Sequence, residues 1–279
     1  MSKHAKPSID IVDVDENNVD DALEVCTFPS VRNEASYRIG CEIRGRWLLN
    51  VCKTVGPCAK IAYVGGKPVG MIEYTPLHVI PYFKTKRKDA LYIHCIYVPK
   101  RYRHRGIGYA LLGSLINEMS GPNKLFRHGH CRLLVASASK IHGYAQVGLF
   151  KRLGFRRIRG NVDVGLVLPL SSAVKVVKLD IPLSKPRTLK EHGVKIFFKP
   201  TCQYCTHTNE SIKAEIRKVN KEIPIEECSL WEYPEEAVRR RITYVATYIN
   251  GEPVLPMPPR KFRETLRRLA SLKEMNFGV

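Results

Sequence analysis

Residues 97–119, YVPKRYRHRGIGYALLGSLINEM, gather Lys100, Arg101, Arg103, His104 and Arg105 just ahead of Gly106 and Gly108. Basic side chains and glycines at the start of a helix make an anion site. The free N–H groups and the positive end of the helix dipole face the ligand. Arginines add charge-assisted contacts, and a glycine lets a phosphate reach the backbone. A dinucleotide fingerprint needs a third glycine where Leu111 stands, and a P-loop needs Lys and Ser/Thr where Tyr109 follows Gly108. The residues spell R-x-x-G-x-G instead. A second chemical stretch is Cys202-Gln-Tyr-Cys205. It lies between an apolar run and a helical one, where the helix dipole lowers the pKa of Cys202 and leaves Cys205 to resolve. Two further polar residues interrupt apolar runs, Glu73 in GMIEY and His94 in YIHCI. Both are base candidates, because a carboxylate or an imidazole inside a strand needs a reason to be there. By strand alternation Cys95 points away from His94 and reads as a small core residue.

These residues need strands and helices to hold them. SIDIVDV (8–14) reads as a strand, and residues 59–77 as a hairpin turning at Gly65-Gly66. ALYIHCIYV (90–98) is apolar almost throughout, as a strand covered on both faces should be. Leu111, Leu112, Leu115 and Ile116 recur at helical spacing. Residues 131–139 predict a strand, 141–154 a helix stopped by a glycine, and FRRI and VDVGLVLPL two closing strands. Residues 171–191 read as a linker, so the expected domains are 1–170 and 192–279. After the linker the order is βαβαββα, with a hairpin at Asn250-Gly251 and a final basic helix. The fold class is α/β with a mixed central sheet, followed by a smaller α/β domain.

With 279 residues and 44% hydrophobic content, the chain can build two real cores. No apolar run reaches the roughly 18 residues of a membrane span, and the acidic start lacks the apolar region of a secretory signal. Nine cysteines, six of them scattered, do not make a secreted disulfide framework. A cytoplasmic location is expected. The net charge of +20 favours anionic ligands over both halves. It keeps nucleic acid open as a partner without favouring it, with a basic RNA-binding protein as the corresponding alternative function.

Taken in order, LYIHCIYV, the R-x-x-G-x-G turn, the leucine-rich helix, the next strand and LFKRLGF resemble the GNAT family of N-acetyltransferases over residues 8–170. That resemblance implies the α+β GNAT fold, acetyl-CoA as cofactor and an amine acceptor. It implies that the backbone across Arg103, His104, Arg105, Gly106, Ile107, Gly108 and Tyr109 holds the pyrophosphate. It gives Val98 backbone contacts to pantetheine, and the backbone at Ile96 or Tyr97 an oxyanion-type role at the acetyl carbonyl. Many members use a tyrosine as the acid in the motif that LFKRLGF resembles. Here Phe150 stands in its place, so the thiolate leaves unassisted or Tyr144 substitutes. The family's acceptor loops fall in residues 26–47 and 78–89. There Lys84, Lys86, Arg87 and Lys88 suggest an acidic acceptor.

The second half resembles a thioredoxin-like domain in its element order and C-x-x-C. Such domains carry a cis-proline at a position that falls near Thr243, where no proline is in reach. With the IEY-x-P and IHCI pieces, the combined architecture is similar to the YoaP-type acetyltransferases. The main alternative is a thiol–disulfide oxidoreductase or a metal-binding protein whose front half only binds CoA. His207 and Cys228 are the added ligands a metal would need, at no standard zinc spacing.

Overall fold

In the computed structural model, which describes residues 8–83, 85, 87–126, 129–138, 147–158, 164–171, 186–219, 221–254 and 264, the apolar runs become strands of two separate sheets. The chain divides into two units. One comprises residues 1–32, 44–80 and 85–183, and the other residues 33–43, 81–84 and 184–279.

The front of the chain runs β1 (Asp10–Asp13), α1 (Val19–Val25), α2 (Ala35–Val55), β2 (Ala59–Val64), β3 (Lys67–Pro76) and β4 (Ala90–Tyr97). It continues through α3 (Ile107–Ser120), β5 (Leu133–Ala138), α4 (Val147–Arg152), β6 (Arg156–Ile158) and β7 (Val164–Pro169). Among the described residues these strands form one sheet in the order β1-β2-β3-β4-β5-β7-β6. The β2–β3 hairpin turns at Gly65 and Gly66, with φ of 58° and 72°, a conformation glycine adopts without a Cβ penalty. Pairing is antiparallel except between β4 and β5, which α3 joins as a crossover.

Along β3, alternation sends Ile72 and Tyr74 into the cluster packed by Leu111, Leu112, Leu115 and Met119 of α3. All four α3 side chains are fully buried, each contributing about 1.5–3 kcal/mol. The opposite face of β3 carries Met71 and Glu73, which meet Arg44 of α2. No helix among the described residues is long and apolar enough to cross a membrane.

Two expectations need correction. Residues 35–47 are the first part of helix α2 and not an acceptor loop. In addition, β4 carries a bulge. Glu73 pairs with Cys95 and Tyr74 with Ile93, which leaves His94 as the extra residue. Alternation therefore breaks at His94. Its ring lies edge-on to Trp47 of α2 and to Tyr92, while Cys95 is near enough to Arg44 of the same helix to act on its charge. Cys95 is half-buried and is the cross-strand partner of Glu73, whose carboxylate meets Arg44.

The second unit runs β8 (Val194–Phe198), α5 (Tyr204–Val219), β9 (Ile225–Ser229), α6 (Pro234–Arg240), β10 (Ala246–Ile249) and β11 (Glu252–Val254). Its sheet order is β11-β10-β8-β9, with β8 and β9 parallel and the other pairs antiparallel. The buried Arg240 ion-pairs with Glu191 and Glu236 and stacks on Phe197 and Tyr248 at 5.0 and 5.2 Å. The rings satisfy the flat faces of the guanidinium while the carboxylates take its edge. Apart from Glu264, which is helical, the expected final helix lies outside the described residues, as does most of the expected linker.

Candidate active site

Strands β4 and β5 share a ladder only over Ala90–Ile93, opposite Leu133–Ala136. Beyond it β4 runs on to Tyr97 against β3, and β5 runs to Ala138 against β7. The bulge at His94 marks the place where the two strands part, because one extra residue bends a strand and increases its twist. Ile96 stays in the core, and the Tyr97 ring meets Phe28 at 6.1 Å.

The basic turn lies at the end of β4. The Arg103 Nε donates to the Val98 carbonyl at 2.9 Å, tying the turn to the strand it follows. The Arg101 and Arg105 guanidinium groups lie 4.9 and 5.9 Å from the Tyr102 ring centroid. His104 has φ of 63°, and Gly106, the N-cap of α3, has φ of 83°. The first backbone bond of α3 runs from the Ala110 N–H to the Gly106 carbonyl. The N–H groups of Ile107, Gly108 and Tyr109 thus precede the helix's own acceptors, and no acidic residue occupies its first turn.

The two glycines do different work. A Cβ on Gly106 would meet nothing within 4 Å, so its open side is where an anion can approach. A Cβ on Gly108 would stand 3.2 Å from Leu149 and 3.8 Å from Val98, so that glycine lets α3 pack closely. Gly70 of β3 does the same from below, since its Cβ would come within 2.8 Å of Ile107.

Glu73 and Arg44 form a wholly buried ion pair, with Arg44 Nε donating to Glu73 Oε1 at 2.9 Å. Arg44 also donates to the Ala22 carbonyl at 3.4 Å. Burial pushes the Glu73 carboxyl above its ordinary value, and Arg44 pulls it part of the way back. For Arg44, burial opposes the charge, but Glu73 more than compensates and the guanidinium is held firmly protonated. His94 differs in being only half-buried, with Nε2 2.8 Å from Thr75 Oγ1.

Arg44 could have been found in the sequence. Tyr37, Cys41, Arg44, Leu48 and Val51 recur at helical spacing, so an arginine on an apolar stripe asks for a buried acid, which Glu73 supplies. Phe150 is core, edge-on to Phe155 at 4.9 Å. Tyr144 lies outside the described residues, as do Lys84 and Lys86. Arg87 Nε is paired with Asp89 Oδ1 at 2.7 Å, and Lys88 is exposed.

Within the second unit, Cys202 is exposed two residues before α5, and the Cys205 amide donates to its carbonyl at 3.0 Å. A hydrogen bond to Cys202, then burial, raises the Cys205 thiol well above its ordinary value. His207 Nδ1 faces Glu34 Oε2 at 3.1 Å and Ser36 Oγ at 3.3 Å. Cys228 is buried beside Glu226. Among the described residues no group of three or more His, Cys, Asp or Glu could hold a metal ion.

The profile of the acetyltransferase (GNAT) family matches residues 22–155, a little under half of the chain. The matched segment is of the acyltransferase class, and the large mixed sheet is the arrangement expected of it. No curated protein matches the sequence. Among solved structures, the ribosomal-protein-S18-alanine N-acetyltransferase of Escherichia coli is 18% identical, covering 61% of this chain and 99% of that one, with a TM-score of 0.38. The PaiA N-acetyltransferase of Thermoplasma acidophilum, solved with coenzyme A, is 16% identical over 58% and 99% of the two chains, with a TM-score of 0.40. An N-acetyltransferase of Staphylococcus aureus is 16% identical over 59% and 99%, with a TM-score of 0.42.

Proposed function

We propose that the chain transfers an acetyl group from acetyl-CoA to an amine, using the front unit. The observation that carries this reading is the parting of β4 from β5 at the bulge, directly ahead of an α3 N-terminus whose Gly106 side is open. The N–H groups of Ile107, Gly108 and Tyr109 hold a pyrophosphate, and Arg103 and Arg105 add charge. The edge of β4 through Val98 receives the extended pantetheine arm as a strand would. The backbone at Ile96 or Tyr97 polarises the acetyl carbonyl. Acetyl-CoA supplies the activated thioester. Glu73 and His94 are the two candidates for accepting the amine's proton. Half-burial favours His94, whereas Glu73 is enclosed with Arg44 and serves best as the anchor between α2 and β3. Phe150 gives no proton, so the CoA thiolate leaves without help from that position.

A thioredoxin-like second unit of the YoaP type is supported by the sheet order β11-β10-β8-β9 and by Cys202 just ahead of α5 with Cys205 in its first turn. The exposed Cys202 beside the protonated Cys205 supports thiol–disulfide exchange there as the second reading.

One experiment separates the two. Acetyl-CoA is incubated with the full chain and a panel of amines, including polyamines, lysine peptides and acidic N-terminal peptides. Acetylated product is followed by mass spectrometry. Turnover is expected to survive Cys202→Ser with Cys205→Ser. Loss of turnover in that double variant would move the chemistry to the cysteines, and no product from any amine would overturn acetyl transfer.

A further inference from the structure

A second pair of thiols lies far from Cys202 and Cys205 in sequence. Helix α2 ends at Val55, and Gly56, with φ of 100°, donates its N–H to the Cys52 carbonyl at 2.9 Å. That is a glycine stop, and the following Pro57 cannot continue the helix. The chain folds back, and Cys58 returns beside the last turn of α2. Its Sγ stands 2.7 Å from Cys52 Sγ. The Tyr74 amide of β3 donates to the Cys58 carbonyl at 2.8 Å, so this cysteine is held by the sheet. A disulfide bond is about 2.05 Å long, so joining these sulfurs requires a movement of well under an ångström.

The two thiols are also chemically unequal. A hydrogen bond from Cys58 lowers the Cys52 thiol below its ordinary value, against the effect of burial. The same hydrogen bond, then burial, drives the Cys58 thiol far up. Cys52 is half-buried and Cys58 fully buried. Cys52 is therefore the less enclosed sulfur and the more readily ionised of the two, with Cys58 behind it as the resolving group.

We propose that Cys52 and Cys58 form a dithiol–disulfide site that exchanges with low-molecular-weight disulfides of the glutathione type, independently of Cys202 and Cys205. The Cys52 thiolate attacks one sulfur of the oxidised disulfide and expels a small-molecule thiolate. Cys58 then loses its proton and attacks the Cys52 sulfur of the mixed disulfide, expelling the second small thiol. The two protein thiols lose two electrons and two protons, and the small disulfide gains both. The product clamps the end of α2, the helix that carries Arg44 and Trp47, to the start of β2.

The test uses the reduced full chain and excess oxidised glutathione, with a free dithiol peptide in the same tube as a control for oxidation. Remaining thiols are alkylated, and the chain is digested without reduction and mapped by mass spectrometry. The expected product is a peptide with Cys52 linked to Cys58, protected from alkylation and released by dithiothreitol. In Cys58→Ser, a glutathione adduct is expected to persist on Cys52, since nothing resolves it. Alkylation of both thiols in the native chain, while the control peptide is oxidised, would overturn the proposal. So would a glutathione adduct on Cys52 of the native chain that never resolves.

Discussion

Replacing Glu73 by alanine is expected to destabilise the front unit by about 3–5 kcal/mol. The magnitude follows from what remains. Arg44 is buried and cannot shed its proton, so the variant holds an uncompensated guanidinium under the sheet. At about 2–4 °C per kcal/mol for a unit of this size, the unfolding midpoint should fall by roughly 10 °C. Arg44→Ala should cost less, because the remaining carboxyl, already raised by burial, can take up a proton. The double change Arg44→Met with Glu73→Leu should recover most of the loss, as apolar replacement of buried pairs commonly does. Thermal and urea melts of the four proteins check this ordering. A loss in Glu73→Ala below about 1 kcal/mol, the range of an exposed pair, would contradict the anchoring role.

The second large effect concerns turnover. His94→Gln keeps a polar side chain within reach of Thr75 but removes the titrating ring. The kcat for amine acetylation is expected to fall about a hundredfold, the lower end of general-base contributions. Affinity for acetyl-CoA should stay within about twofold, because His94 lies at the bulge and not in the basic turn. The stable Arg44→Met, Glu73→Leu protein decides between the two base candidates. Turnover retained there and lost in His94→Gln would assign the base to His94. The reverse pattern would assign it to Glu73.

Much of this was legible in the sequence because it is local. Short apolar runs announce β2, β3 and β4, Gly65-Gly66 announces the β2–β3 hairpin, and the leucine spacing announces α3. The basic turn declares an anion by residue type alone. What stayed hidden depends on partners far along the chain. Helix α2 contains Gly40, Gly45 and three cysteines or tyrosines that do not favour a helix strongly, so its first part read as a loop and the Arg44–Glu73 pair went unseen. The bulge at His94 is a one-residue mismatch between two strands, which no single strand's pattern contains. It places Cys95 near the same helix that His94 meets, where alternation separates the two. Cys52 and Cys58 likewise look scattered until the Gly56 turn folds one back onto the other.

The pyrophosphate of acetyl-CoA is proposed to sit at the N-terminus of α3, on the open side of Gly106. Calorimetric titration of acetyl-CoA into the native chain and into Gly106→Glu tests it most directly. Glutamate at this position puts a negative charge on the open side of the turn. It also forces a side chain into a backbone conformation that costs about 1–2 kcal/mol outside glycine. Affinity should drop by about thirtyfold, with the unfolding midpoint lowered only modestly. Equal affinity in the two proteins would contradict the account and place the anion elsewhere.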